Sequence, residues 1–452
     1  MPPTVTLTIT TGKLSGKQYI FDSRSTCIIG RNDDCNLQIA DNIDLKVSRY
    51  HCLLDINPPE IRIRDLGSLN GTYVNGKIIG QRKPGETPEA SAKYVFPEYD
   101  LVHNDRVQIG DIIFDVGVLQ EPEKQKTPYI PIPEKNKPEN QKPNLLNIIQ
   151  NLFNLANQGN QNLKVISNYH LIKSLGEGGC GEVFLAQHQK TKQLVALKIM
   201  LPAVAATEQG VKMFLRETEN TKYLQHPNVV QLLDYGFAEN SFFFTMEYCE
   251  GGDVWDLMQK LGGSLPVNLA IDIILQVLDG LIYAHNVEVP YVRLADGRLG
   301  KGNGLVHRDL KPNNIFITKI DGKMVVKIGD YGLAKAFDLA GLSGQTFTGT
   351  KMGTPVFMPR QQVLDFKHSL PEVDVWASAA CLYNMLTGYF PRDFDGDPWA
   401  SILNNHPVPI RQRDSSIPEN LAKVIDLALT EKPQIYFQTA AEFKQALSIC
   451  RW

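Results

Sequence analysis

The 452-residue sequence has only seven cysteines, at 27, 35, 52, 180, 249, 381 and 450, and none forms a C-x-x-C pair. An odd, scattered set excludes a disulfide framework and a cysteine-ligated zinc site, and fits a reducing compartment. Charge of one sign is missing too. The 46 basic and 49 acidic residues leave a net charge of −3, which gives no electrostatic case for nucleic acid or an anionic membrane as partner. No run approaches 18 consecutive apolar residues, and residues 1–10 hold no basic segment followed by an apolar one. Neither a membrane span nor a signal peptide is therefore expected, and the expected location is the cytoplasm. The hydrophobic content of 43% is that of a globular protein, and the length suggests two or three domains.

Three regions follow one another. Residues 4–118 show short alternating segments, such as 4–9, 52–56 and 107–109, separated by Gly, Asn and Asp clusters, which predicts a β-sandwich. Residues 81–100 break that rhythm and read as a long loop. Residues 119–144 are rich in proline, lysine and glutamate and poor in apolar residues. Such a segment buries too little surface to offset its ordering entropy and reads as a flexible linker, with a reach on the order of 75 Å if extended. Within 145–169, Leu145, Leu146, Ile149, Leu152 and Phe153 have helical spacing. They make either a short docking helix or a marginal one within the linker. Residues 170–449 begin with strand-like runs to Phe244 and continue with helical patterns at 269–285 and 373–386. This order predicts a two-lobed α+β unit.

The third region carries the densest chemistry. His307-Arg308-Asp309-Leu310-Lys311-Pro312-Asn313-Asn314 puts a carboxylate, an ammonium and an amide within six residues. In-line phosphoryl transfer needs these groups close together, to orient a hydroxyl, steady the migrating phosphate and ligate magnesium. Upstream, Leu175-Gly176-Glu177-Gly178-Gly179-Cys180-Gly181-Glu182-Val183 is a glycine-rich turn whose N–H groups can approach phosphate oxygens. A dinucleotide-binding fold would need a helix after the third glycine. A strand-like 182–186 follows instead and favours a β-hairpin lid. Lys198 sits in the β-prone run 195–199, where an ammonium needs a partner. Glu217 in the helical stretch 211–224 is the natural one, with Glu219 its competitor. Asp330, between Gly329 and Tyr331-Gly332, is a second carboxylate suited to magnesium.

Together these motifs resemble the eukaryotic-like (Hanks-type) serine/threonine protein kinases across 170–449. The resemblance implies that Leu175, Gly176, Gly178, Gly181, Val183, Ala196, Lys198, Glu217, Met246, Glu247, Cys249 and Phe316 form the ATP site. It implies Asp309 and Lys311 as the catalytic pair, and Asn314 with Asp330 as the Mg2+ ligands. Asp374 fits the aspartate that braces the catalytic loop. Arg308 fits an arginine that answers a phosphorylated activation segment, where Thr346, Thr348 and Thr350, near Ser343, are candidate autophosphorylation sites. Cys180 and Cys249 lie beside the ATP site, where oxidation would inhibit. The sequence also departs from the family. Tyr331 replaces Phe, and residues 287–304 form an insertion. Met358-Pro359-Arg360-Gln361 stands for Ala-Pro-Glu, with Gln361 in the glutamate's place, and Tyr436 occupies the position of the arginine that normally pairs with it. A neutral Tyr–Gln hydrogen bond is expected there.

In the first region, Gly30-Arg31, Ser48-Arg49-Tyr50-His51 and Asn70-Gly71-Thr72 punctuate the strands at turns. Their order resembles forkhead-associated (FHA) domains, readers of phosphothreonine peptides. By that likeness Arg31, Ser48 and Arg49 face phosphate, Asn70 holds the peptide backbone, and His51 is a structural brace. Leu69 stands where many members carry Thr or Ser. The expected architecture is thus multidomain: an all-β FHA sandwich, then a bilobal α+β kinase. The implied activity is transfer of the ATP γ-phosphate to protein Ser/Thr hydroxyls; a pseudokinase scaffold that binds nucleotide and phosphopeptide is the alternative.

Overall fold

A computed structural model describes residues 3–40, 42–119, 168–178, 181–200, 208–238, 241–293, 299–331, 355–365, 369–394 and 396–450. The linker and the candidate docking helix fall almost wholly in 120–167, outside the described residues. The N-terminal region is the expected sandwich. One six-stranded sheet runs in the order Gln18–Phe21, Thr4–Ile9, Ile112–Leu119, Arg106–Ile109, Thr72–Val74 and Lys77–Gly80. The facing sheet is Leu37–Gln38, Ser25–Gly30, Cys52–Asn57, Glu60–Asp65 and Tyr99–Leu101. Strict alternation in Thr4–Ile9 turns Val5, Leu7 and Ile9 into the core, where they meet Leu54, Ile63 and Phe114. Pairing of this first strand with the sandwich's last, Ile112–Leu119, ties the two ends of the domain together.

The stretch 81–100 is more ordered than a plain loop. It holds a turn of helix, Pro88–Ser91, started by a Thr87 side chain that accepts from Ala90 N, and it ends in a strand paired to Glu60–Asp65.

The kinase-like region has two lobes. Five antiparallel strands (Tyr169–Gly178, Gly181–His188, Leu194–Met200, Ser241–Glu247, Leu232–Ala238) carry the helix Glu208–Lys222. Phe214 of that helix packs on Met200, Phe242 and Phe244. The second lobe is built around Val267–Asn286 and Glu372–Thr387. Val373 to Leu386 are all buried, as suits a helix that is enclosed rather than amphipathic. Val267–Asn286 is long and apolar enough to cross a membrane by length and composition; here Ile271, Ile274, Leu278 and Leu281 lie in the lobe's core.

The insertion 287–304 forms a hairpin, Glu288–Arg293 with Leu299–Asn303, packed beside Glu208–Lys222. Gly304 closes it at φ +86°, where a Cβ would sit 2.5 Å from His285 O.

The two domains do not stand apart in this structure. Ile28, Cys35, Tyr50, Leu53 and Leu66 of the sandwich share one apolar cluster with Met358, Val363, Leu364, Trp399, Ile402 and Leu403 of the second lobe. Alternation explains the choice of residues. Ile28 and Leu53 lie on the face opposite the sandwich core, so a partner layer must cover them.

Candidate functional site

In the catalytic loop the backbone is fixed before the side chains. Arg308 has φ +67°, a left-handed conformation that costs a non-glycine residue about 1–2 kcal/mol. Asp374 holds it there. Its buried carboxylate accepts from His307 N at 2.7 Å and Arg308 N at 2.8 Å and meets His285 Nε2 at 2.8 Å. Burial alone would raise its pKa; His285, His307 and the Arg308 N–H outweigh that and hold it below the ordinary carboxylate value. His307 Nδ1 accepts from Asp309 N at 3.2 Å, so the ring's proton is on Nε2, which donates to Gly329 O at 2.9 Å. The 3₁₀ turn Pro312–Asn314 then presents Asn314.

These supports fix the reacting groups. Lys311 Nζ donates to Asp309 Oδ2 at 2.9 Å, and Asn314 Nδ2 donates to Asp309 O at 2.7 Å and Oδ2 at 3.2 Å. Lys198 Nζ pairs with Asp330 Oδ2 at 2.6 Å. Burial pushes the Asp330 pKa up, but Lys198, then Lys311 and His307, bring it below the ordinary value. Asp330 too has positive φ, +53°. Buried Tyr331 anchors the turn, donating to Leu305 O at 2.9 Å, a bond that Phe would lack. Glu217 lies on the helix Glu208–Lys222, but its side chain is outside the described residues. Its competitor Glu219 accepts from Tyr235 Oη.

Strand pairing brings the rest of the predicted nucleotide site together. In Leu194–Met200, Val195, Leu197 and Ile199 are buried in the lobe, which leaves Ala196 and Lys198 on the other face. Ala196 pairs with Met246, Lys198 with Val183, and Val183 with Gly176. At Gly181 a Cβ would lie 1.9 Å from Ile199 O, so only glycine fits. Gly178 ends its strand, and Leu175 is exposed. Phe316 packs against Gly329, whose hypothetical Cβ would fall 2.4 Å from the ring. Glu247 is ion-paired with Lys327 at 2.9 Å. Burial, reinforced by Glu247, pushes the Cys249 thiol up to about 12, leaving it a poor target for oxidation. Cys180, Ser343, Thr346, Thr348 and Thr350 lie outside the described residues.

The donor set fits magnesium that arrives with a triphosphate. Asn314 uses its nitrogen toward Asp309, which leaves its oxygen to ligate, and Asp330 uses one carboxylate oxygen toward Lys198. Magnesium takes one or two carboxylates plus phosphates rather than a full protein cage. Among the described residues no group of three or more His, Cys, Asp or Glu is placed to hold a metal ion by itself.

In the sandwich, Arg31, Ser48, Arg49 and Asn70 line one cavity, together with Leu69. His51 is its brace: Nδ1 accepts from Ser48 N, so Nε2 donates to Gly71 O, both at 3.0 Å. Ser48 Oγ accepts from Leu69 N at 2.9 Å and keeps its own proton to donate. Asn70 Nδ2 is turned to Lys46 O at 2.7 Å. Lys46 and Arg82 also line the cavity, as does Asn404 of the second lobe, none of which the motifs signalled.

The Tyr–Gln brace is not formed. Tyr436 is 53% exposed, and Gln361 Nε2 donates to Glu431 O at 2.5 Å. A different buried pair does the bracing, Arg392 with Glu431 at 2.5 Å, their side chains 0% and 3% exposed. Glu431 Oε2 also accepts from Arg360 N at 3.0 Å, and the Arg392 guanidinium lies over Trp376. The Arg360 side chain points the other way, into the sandwich domain, where it pairs with Asp34. A second buried pair, Arg64 with Asp397 at 3.1 Å, also crosses the border. Within the loop 81–100, Ala92 O accepts from Asp397 N at 2.6 Å.

Family models and known proteins match parts of this chain. The protein kinase domain model matches residues 169–435, and the FHA domain model matches 27–91. The probable serine/threonine-protein kinase CPE1738 of Clostridium perfringens is 30% identical over 284 residues, 62% of this chain and 38% of its own. PknB of Mycobacterium leprae, a serine/threonine-protein kinase, is 31% identical over 287 residues, 62% of this chain and 42% of its own. The chain thus spans less than half the length of either relative. Among solved structures, Rad53 1-466 in complex with AMP-PNP aligns over 98% of this chain and 99% of its own, with 21% identity and a TM-score of 0.48.

Proposed function

Because the chain belongs to the protein kinase family and carries an FHA domain, we propose that it transfers the γ-phosphate of Mg-ATP to serine and threonine hydroxyls of proteins. The observation that carries this reading is the Asp309 carboxylate, held by Lys311 and Asn314 beside the Lys198–Asp330 pair. Asp309 orients the substrate hydroxyl and accepts its proton as the oxygen bonds to the γ-phosphorus and the bond to the leaving diphosphate oxygen breaks. Lys311 offsets the negative charge that gathers between Asp309 and the phosphoryl group. Lys198, anchored to Asp330, holds the remaining phosphates in place. Magnesium on Asp330 and Asn314 would supply charge neutralisation at the phosphates.

The rival scaffold reading drew on the altered 359–361 segment and Tyr436. The Arg392–Glu431 pair removes that support, since the segment is braced by other residues. Incubation of the purified chain with labelled Mg-ATP and a protein substrate decides between the two. Labelling that Asp309→Asn abolishes supports the enzyme; none from the wild type supports the scaffold.

The FHA domain, in this reading, binds phosphothreonine on substrates, on partners or on the chain's own Thr346, Thr348 or Thr350, with Arg31, Ser48 and Arg49 on the phosphate. Six described cysteines are free and buried, which suits the cytoplasm.

A further inference from the structure

The phosphothreonine cavity does not end at the domain border. Beside it lies a second cavity of about 370 Å³ lined by residues of both domains, among them Asn32, His406 and Lys432. Arg49, Tyr50 and Asn404 line both cavities and so form their common wall. We propose that the phosphopeptide site is composite, and that this second cavity seats another anionic group of the same peptide, a carboxylate or a second phosphate, against Lys432, His406 and Arg49. The inference rests on the FHA domain being a phosphothreonine reader, and adds to it a requirement that the kinase lobe supplies.

Three observations point to an anion. First, none of the described residues lining either cavity is acidic, whereas Arg31, Lys46, Arg49, Arg82, His406 and Lys432 are basic or can be. Second, the two carboxylates near Lys432 are engaged elsewhere: Asp34 pairs with Arg360 and Glu431 with Arg392. Third, the Lys432 ammonium is disfavoured where it sits, first by burial and then by Arg360, with Arg49 adding to the repulsion. An anion brought between Lys432 and Arg49 relieves that repulsion and forms charge-assisted hydrogen bonds. The neutral polar wall offers further hydrogen bonds. Asn404 Nδ2 is turned to Ala400 O at 2.9 Å and Asn405 Nδ2 to Asp393 O at 3.3 Å, so each amide keeps its oxygen and a second N–H.

Spacing sets the ligand. An extended peptide advances about 3.3 Å per residue, so a shared wall one side chain thick separates groups roughly two to four residues apart. The ligand class is a peptide with a phosphothreonine and, within that distance, a glutamate, an aspartate or another phosphorylated residue. Because Asn404 and Lys432 come from the kinase lobe, only the docked arrangement reads both groups.

Fluorescence anisotropy on the full chain tests this, with a neutral phosphothreonine peptide and variants bearing Glu or a second phosphothreonine at each flanking position. At one position or two, the added anion should tighten binding 3- to 10-fold, about 0.7–1.4 kcal/mol at 298 K. The Glu and phosphate arms show which source is preferred. Lys432→Ala should erase the gain and leave the neutral peptide's affinity unchanged, whereas Arg31→Ala should weaken every peptide. A gain that survives Lys432→Ala, or no gain at any position, overturns the composite site and leaves the phosphothreonine reader standing. If the neutral peptide fails to bind the wild type, the reader assignment itself falls, and this inference with it.

Discussion

Arg360 and Tyr50 belong to different domains, yet the guanidinium lies 4.6 Å from the ring centroid while pairing with Asp34, 326 positions away in sequence. An arginine in the 358–361 segment, normally internal to a kinase lobe, is thus a cross-domain anchor. Its backbone N–H stays on Glu431, and the neighbouring Gln362 donates to Arg308 O at the catalytic loop. One short helix, Arg360–Leu364, therefore touches the FHA domain and the catalytic loop at once.

Arg360→Ala should separate the domains energetically. The substitution leaves Asp34, which is 31% exposed and still accepts from Asn32 and Tyr50, so the cost is that of the lost charge-assisted hydrogen bonds, about 1.5–3 kcal/mol. Calorimetry of the wild type should show one shared unfolding transition, and the variant two. A variant that unfolds as the wild type does would show that the apolar cluster alone holds the border.

Asp309→Asn keeps the size of the side chain and its contact with Asn314 but cannot accept the hydroxyl proton. The rate kcat should fall about 10²- to 10⁴-fold with Tm unchanged. Lys198→Ala should also abolish transfer, mainly through weaker nucleotide positioning, which a nucleotide-binding titration would separate from the chemistry.

Tyr436→Ala and Glu431→Gln should differ sharply. Tyr436 is exposed and braces nothing, so its loss should stay within about 0.5 kcal/mol. Glu431→Gln leaves Arg392 charged, buried and unpaired, at a cost of about 3–5 kcal/mol. Urea unfolding of the two variants measures both; equal effects would put the brace back at Tyr436.

Acid should act through Asp374. Its pKa is lowered by folding, so its contribution to stability is complete above its unfolded value, about 3.9, and fades as pH falls through the lower folded value. Asp330 has the same sign. Asp374→Asn should therefore be less stable than the wild type at neutral pH, and the gap in Tm should narrow below about pH 4. A gap that is constant across pH would assign the loss to packing instead of charge.

The parts of this site that were readable from sequence are those whose chemistry is local. Asp309, Lys311 and Asn314 lie within six residues of each other, and Ala196 with Lys198 follows from strand alternation. His51 was rightly read as a brace, because a His three residues after Ser48 can bond back to its N–H. The Arg392–Glu431 pair escaped because neither residue occupies the position its role has in the family, and only the folded lobe brings positions 392 and 431 together. Trp399, Ile402 and Leu403 are apolar residues of the kind that also fill a core. A docking surface uses the same apolar residues as a core, so no pattern within one segment distinguishes them. The linker's composition suggested a freely moving reader, and nothing in the linker itself could reveal that its two ends join domains with complementary faces.

That covalent connection changes how strong the border must be. Residues 120–167 join the FHA domain and the kinase lobe covalently, so docking is a first-order closure that dilution does not reverse; a flexible tether would set the effective concentration on the order of millimolar. A contact with an intrinsic Kd of about 10 µM would then be shut roughly 99% of the time, and one of about 1 mM only half the time. Each tenfold loss at Asp34, Arg64 or Trp399 would move the chain along that scale. Cutting within 120–167 would convert the same contact into a bimolecular one that opens at micromolar protein.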